Sequence, residues 1–268
     1  MGKDMRTPDR RDTRREPSRI GGLIAHVSVY SELAEPQVLE LATRAHLLHA
    51  DRGTPVVRRG ESMPGVISVS YGLLKLAARG VNGEERVLRL LAAGESFGAA
   101  TILLCRPCPV DVVALADTLL VTIAATPILD LIDRDPKFAR RLLLALAERN
   151  LGLLSEFADS ALQRGVQRLA SYLDSLARPL NGSGRYVAEL PVAKAVVASR
   201  LGMKKETLSR LLHGLTQNGL VAVHGREIEI LDRAGLLDVA QSGTQPPCAE
   251  AARTDRSLGE SHALHGVI

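Results

Sequence analysis

Lys204, Lys205, Glu206, Thr207, Ser209, Arg210 and His213 crowd into ten residues, KKETLSRLLH. Their types and spacing suit one kind of chemistry. On a helix, Glu206, Ser209 and Arg210 stand at i, i+3 and i+4 and share a face. Arginine can pair with guanine O6 and N7 through two bonds, glutamate accepts from cytosine N4, and serine tolerates several bases. The two lysines at the start of such a helix oppose its own dipole, whose positive end favours anions. Phosphates lying beside them would make that arrangement favourable. His213, one turn beyond Ser209, adds a phosphate contact, and Thr207 completes the set. The plain alternative is a solvated helix with an internal Glu206–Arg210 ion pair.

The elements that must position this ridge are legible around it. In PVAKAVVASRLGMKKETLSRLLHGL, apolar residues fall at Val197, Leu201, Met203, Leu208 and Leu211. Ala198 is small where two helices would cross, and Gly202 lies where the chain must turn between them. Leu208, Leu211, Leu212 and Leu215 supply a buried side for the second helix. The segments LVAV and REIEIL, joined through His224-Gly225, predict a hairpin wing. This is a helix-turn-helix with its wing. Residues 162–235 carry 11 Lys/Arg against 6 Asp/Glu, while the whole chain has a net charge of +4. Such a bias points weakly to an anionic partner.

Other reactive side chains are sparse. Cys105 and Cys108 form a lone C-x-x-C, and the third cysteine is Cys248. The pair could be a redox couple, half of a metal site, or two ordinary loop cysteines. No group of acid, base and nucleophile supports an enzyme, so no catalytic residue and no metal ligand is assigned. Three cysteines in 268 residues make no disulfide framework. No apolar run approaches the roughly 20 residues needed to span a bilayer. The first residues lack the hydrophobic segment of a secretory signal. The cytoplasm is the expected compartment. Aromatic residues amount to 3% with no Trp, so the core must be aliphatic.

Along the chain, the expected organisation is a disordered basic tail at 1–21, a β-roll sensor domain at 22–134, a dimerisation helix at 135–161, a winged helix-turn-helix at 162–237 and a loose tail at 238–268. Residues 1–21 hold seven basic and four acidic residues and almost no large apolar ones. A short helix within ELAEPQVLELATRA precedes brief β-like runs, and Asn82-Gly83 is a hairpin signal. The turn NGSG separates a helix, VQRLASYLDSLA, from a strand, RYVAEL. The long helix carries two apolar stripes. Leu142, Leu146, Leu153 and Phe157 form one; Leu143, Ala147, Leu154 and Ala161 form the other. Two stripes call for two packing partners. The β domain is one, and the other is a second copy of the helix in a coiled-coil-like seam. Burial within one globule is the alternative.

This order of parts, with RGTPVVRRGE, GLLKL, NGEERVLRLLAAGESFG and LPVAKAVVASRLGMKKETLSRLLHGLTQNGLV, resembles the Crp/Fnr bacterial transcription regulators over about residues 24–237. The fold implied is α+β: an N-terminal cyclic-nucleotide-binding-like β-roll, a long dimerisation helix and a C-terminal winged helix-turn-helix. Glu206-x-x-Ser209-Arg210 resembles the Fnr-type pattern, whose members read TTGAT-like half-sites in an inverted repeat. The resemblance therefore implies double-stranded DNA, a second copy of the chain and RNA polymerase as partners. The run ETLSRLLHGL…GLVAVHGREIEILDR looks like Dnr-type denitrification regulators, which implies haem-dependent sensing of nitric oxide. His26 is then the candidate haem ligand; His46 and His49, expected just before the first β run, are further imidazoles. Cyclic-nucleotide binders of the family place a Glu where Ala99 stands and an Arg-Ser/Thr pair where Cys108-Pro109 stands. Cyclic AMP is therefore disfavoured, although a cyclic-nucleotide response and a thiol-redox sensor both remain as alternatives. Residues 1–104 contain no Cys, so no iron–sulfur cluster is expected.

Overall fold

The computed structural model describes residues 16–180 and 185–242. The expected turn at 181–184 and most of the two expected tails lie outside the described residues. The chain divides into two compact units, Met1–Gly152 and Leu153–Ile268.

The first unit opens with helices α1 (Glu16–Ala25) and α2 (Glu35–Thr43). Strands β1 (Ala45–Ala50), β2 (Pro55–Val57), β3 (Gly65–Tyr71), β4 (Leu73–Arg79), β5 (Glu85–Ala92), β6 (Ser96–Phe97), β7 (Asp111–Ala114) and β8 (Thr118–Ala124) follow. They form two antiparallel sheets, ordered β1-β8-β3-β6 and β2-β7-β4-β5. Helix α3 (Ala99–Leu103) interrupts the strands, α4 (Ala125–Arg134) follows them, and α5 (Pro136–Leu162) begins in this unit and ends in the second. This is the expected β-roll. Alternation within strands sets its two cores. Ile67, Val69, Leu74, Leu91, Val112 and Leu120 face the interior of the roll. Val66, Val121 and Ile123 face the other way, onto Ile20, Ile24, Leu41, Ile128 and Phe138 of the helices. At Gly65 the strands come so close that a Cβ would lie 1.9 Å from the Ile123 carbonyl oxygen, so only glycine fits.

Two boundaries differ from expectation. Helix α1 begins at Glu16, and Ile20 is buried, so residues 16–21 are part of the fold. His46 and His49 lie within β1, opposite Thr122 and Leu119 of β8.

Helix α5 starts at a well-made cap. Asp135 Oδ1 accepts from the backbone N–H groups of Lys137 (2.9 Å) and Phe138 (3.1 Å), and Oδ2 accepts from Gln37 Nε2 at 2.9 Å. The Gln37 amide, then the Phe138 N–H, hold the Asp135 carboxyl below its ordinary pKa. Phe138 stacks on Tyr30 with ring centroids 5.9 Å apart, and Leu142 and Leu146 continue this contact with the helical core. Among the described residues, Leu143, Leu144, Leu151, Leu153, Leu154, Phe157 and Leu162 of this helix are exposed, Phe157 at 73%. The helix is thus not buried within one globule.

The second unit contains α6 (Gly165–Leu176), β9 (Ala177–Leu180), β10 (Arg185–Glu189), α7 (Lys194–Arg200), α8 (Lys205–Gln217), β11 (Val221–His224), β12 (Glu227–Ile230) and α9 (Arg233–Ser242). The sheet order is β11-β12-β10-β9, all antiparallel. Strand β9 was not expected, nor was α9. The latter buries Leu236 and Val239 against α6, so the domain runs past the expected limit at 237.

Candidate nucleic-acid interface

Helices α7 and α8 meet through a short turn. The Gly202 N–H bonds the Ser199 carbonyl at 3.1 Å and the Met203 N–H bonds the Ala198 carbonyl at 3.0 Å. Gly202 has φ +65°, the left-handed backbone that this reversal needs and that glycine adopts without strain. Val197 and Ala198 of α7 are buried with Leu208, Leu212 and Leu215 of α8. Leu211 and Met203, half-buried, lie 3.5 and 3.6 Å from where a Cβ on Gly165 would stand, so they pack on the start of α6.

The opposite face of α8 carries the predicted ridge. Lys204, Lys205, Glu206, Ser209, Arg210 and His213 are exposed, whereas Thr207 is half-buried and contributes less surface than expected. Glu206 and Arg210 form no ion pair with each other, and neither has a partner among the described residues. The alternative of a self-neutralised helix therefore does not hold. Lys204 is itself the N-cap of α8 and supplies no side-chain cap to the first-turn amides. Those amides, with Lys205 at the first helical position, leave an end suited to an anion.

The wing is tighter than the sequence suggests. His224 pairs with Glu227 inside the hairpin, so Gly225 and Arg226 make the turn. Arg226 does not extend outward. Its Nε donates to the Leu190 carbonyl and its Nη2 to the Pro191 carbonyl, each at 2.9 Å, fastening the wing to the approach to α7. Arg168 plays a matching part on α6: Nε donates to the Leu201 carbonyl at 2.9 Å, and Nη1 donates to the Gln163 carbonyl. Arg233 pairs with Asp174 at 2.8 Å and lies 4.4 Å from the Tyr186 ring centroid. Burial raises the pKa of the Tyr172 phenol, and the nearby Arg200 charge partly offsets this. None of these three arginines was singled out by spacing; in sequence they look like any surface cation.

The β-roll does not carry the residues by which the family holds a cyclic nucleotide. Ala99, the first residue of α3, offers no carboxylate to a ribose. Cys108, which stands where the resemblance places an arginine, is buried among the apolar residues inside the roll. The nearby charges satisfy one another. Asp111 accepts from the Arg59 N–H at 2.9 Å and lies 3.4 Å from Arg79 Nε, Arg89 pairs with Glu95 at 2.5 Å, and Lys75 pairs with Glu85. Haem fits no better. His26 is exposed with Nδ1 held 2.6 Å from the Gly22 carbonyl oxygen, and His46 and His49 are exposed too. The described imidazoles of the roll face solvent, where they cannot enclose a macrocycle in apolar surroundings. Among the described residues there is no group of three or more His, Cys, Asp or Glu able to hold a metal, and no helix long and apolar enough to cross a membrane.

Comparison with known proteins agrees with this geometry. A model of the Crp-like helix-turn-helix domain matches residues 167–239, and one of the cyclic nucleotide-binding domain matches 47–135. Between them they take in more than half of the chain. The cyclic AMP receptor protein of Thermus thermophilus is 29% identical over 189 residues, spanning 70% of this chain and 85% of its own. The transcriptional activator protein FnrA of Stutzerimonas stutzeri is 25% identical over 197 residues, 70% of this chain and 78% of its own. The structure of FixK2 from Bradyrhizobium japonicum shares the fold, with a TM-score of 0.62 at 19% identity, covering 72% of this chain and 96% of that one. Regulators of Anr and Flp type match at 25% identity. This spread gives no support to the expected Dnr-type subgroup. The residues behind that expectation lie in the DNA-reading half, which regulators with different sensors share. With its helix-turn-helix free on one face and a nucleotide-binding-like roll ahead of it, the chain belongs to the Crp/Fnr family of DNA-binding transcription regulators, which are not enzymes.

Proposed function

We propose that two copies of this chain bind an Fnr-like inverted repeat in double-stranded DNA, each placing the Glu206–Ser209–Arg210 face of α8 in a major groove. The observation that carries this reading is the partner-free ridge on a helix whose other face is buried. The seven exposed large apolar side chains on α5 support the homodimer, because a surface of that kind needs a counterpart. Two recognition helices must then lie about 34 Å apart to meet successive major grooves. A regulator acting this way works in the cytoplasm beside RNA polymerase, its expected protein partner.

The effector acts on the roll and is not held by the family's cyclic-nucleotide residues. Titration calorimetry with cyclic AMP should give no binding heat. Nitric oxide sensing through haem, implied by the earlier resemblance, would need an enclosing site other than that of His26. Protein purified anaerobically with haem supplied should show no Soret band that shifts with nitric oxide; such a band would restore that reading. The central test is footprinting on an inverted repeat of TTGAT-like half-sites. Protection of both halves, one helical turn apart, is expected. A chain that protects neither half at any salt concentration would refute the proposal.

A further inference from the structure

The loop between α3 and β7 carries two thiols that DNA reading leaves unused. Both are free; Cys105 is exposed and Cys108 is buried. Cys105 directly follows the C-cap of α3, where the Leu104 N–H bonds the Ala100 carbonyl and the Arg106 N–H bonds the Thr101 carbonyl, each at 3.0 Å. This helix ending asks for left-handed backbone. Cys105 supplies it at φ +50°, the one non-glycine residue with positive φ among the described residues. Glycine or asparagine would adopt that conformation with less strain, so a cysteine here runs against local preference. Strain of this kind gathers at functional positions.

Cys108 is anchored instead. Its N–H donates to the Glu61 carbonyl and its carbonyl accepts from the Gly60 N–H, both at 2.8 Å. Its Sγ donates to the Val110 carbonyl at 3.3 Å, on the edge of the apolar interior of the roll. An exposed thiol with a sheltered one close by in the chain is the arrangement in which the first meets an oxidant and the second resolves it.

We propose that Cys105 and Cys108 are an oxidisable dithiol, closed by a hydroperoxide into a disulfide that releases Cys108 from Gly60 and Glu61. The Cys105 thiolate attacks one peroxide oxygen; an S–O bond forms, the O–O bond breaks, and the departing oxygen takes a proton and leaves as water or an alcohol. The Cys108 thiol then attacks the sulfur of the resulting sulfenic acid. An S–S bond forms, the S–O bond breaks, and the hydroxyl leaves as water with the Cys108 proton. Two electrons pass from the thiols to the peroxide. A disulfide holds its Cα atoms about 4.4–6.8 Å apart. Pro107 and Pro109 fix φ on either side of Cys108, so the change falls on its contacts with Gly60 and Glu61 rather than on the prolines.

The test uses the reduced full chain, treated with hydrogen peroxide and mapped by mass spectrometry. The peptide holding both residues should lose two hydrogens, and the Gly60 and Cys108 amides should exchange with deuterium faster than in the reduced protein. In Cys108→Ser, oxidation should stop at a Cys105 sulfenic acid that dimedone traps. In Cys105→Ser, loss of the Cys108 thiol should slow by about tenfold or more, because the remaining thiol is sheltered. Thiols that stay free, Cys105 joined to Cys248 or to a second copy, or a bridge that leaves both amides protected would each overturn the proposal. The mapping needs no DNA, so its outcome is separate from that of the footprint.

Discussion

Arg210 and Lys204 share a ridge, and the proposed complex gives them different parts in DNA reading. In the proposed complex Arg210 lies on the face that meets base edges, so Arg210→Ala should weaken specific binding by about 1–3 kcal/mol and relax preference at one base position. Equal loss on specific and random duplexes, measured by fluorescence anisotropy, would contradict that role. Lys204 stands at the N-cap of α8, the end that phosphates would approach in that complex, so Lys204→Ala should weaken binding evenly across sequences and reduce the salt slope by about 1. At this scale the sequence was informative because the polar residues of α8 follow a glycine turn inside a fixed frame of apolar positions, a context that an ordinary solvated helix face lacks. It said less about Arg168 and Arg226, whose partners are backbone carbonyls distant in the chain. Nothing in residue type announces such a bond.

Among the elements, α5 depends on how it begins. Phe138 is buried and stacked on Tyr30, so Phe138→Ala should cost about 3–5 kcal/mol in denaturant unfolding. The Asp135 cap adds a pH dependence. Its folded pKa lies below the ordinary value of 3.8, so its stabilisation is complete above that value and is lost as pH falls through the folded pKa. Asp135→Asn retains an acceptor but does not titrate. Its melting temperature should therefore fall less than that of the wild type between pH 5 and pH 3, by calorimetry. The elements that escaped sequence reading share a cause. Helix α1 lies in a highly charged stretch, contains Gly21 and Gly22, and shows its core side only through Ile20 and Ile24. Strand β9 is an edge strand of four residues that includes Pro179, a residue usually found away from central strands. Helix α9 buries Leu236 and Val239 while its neighbour Leu237 is exposed, too short a pattern to stand out from a polar terminus. Helices α1 and α9 are fixed by packing on other elements and β9 by pairing with β10, and local periodicity carries little of that information.

For the whole molecule, the exposed side of α5 is the proposed seam between two copies. Leu154→Glu combined with Phe157→Glu puts charge in the proposed seam. Sedimentation should then give the mass of one chain, and affinity for an inverted repeat should fall by about 10²–10⁴, the gain that linking two half-sites supplies. A variant that stays dimeric would place the seam elsewhere. The sequence showed two stripes, but the structure divides the first: Leu142 and Leu146 join Phe138 on the chain's own core, whereas Leu153 and Phe157 are exposed.

Arg226 has a consequence for how the second unit meets its target. By tying the hairpin turn to the Leu190 and Pro191 carbonyls, it fixes the wing before any duplex arrives. A loose wing would have to be ordered during docking, at an entropic cost set against each new contact. Here that ordering is already part of folding, so in the proposed complex the wing would dock as a preformed mould and favour sites whose groove width matches its shape.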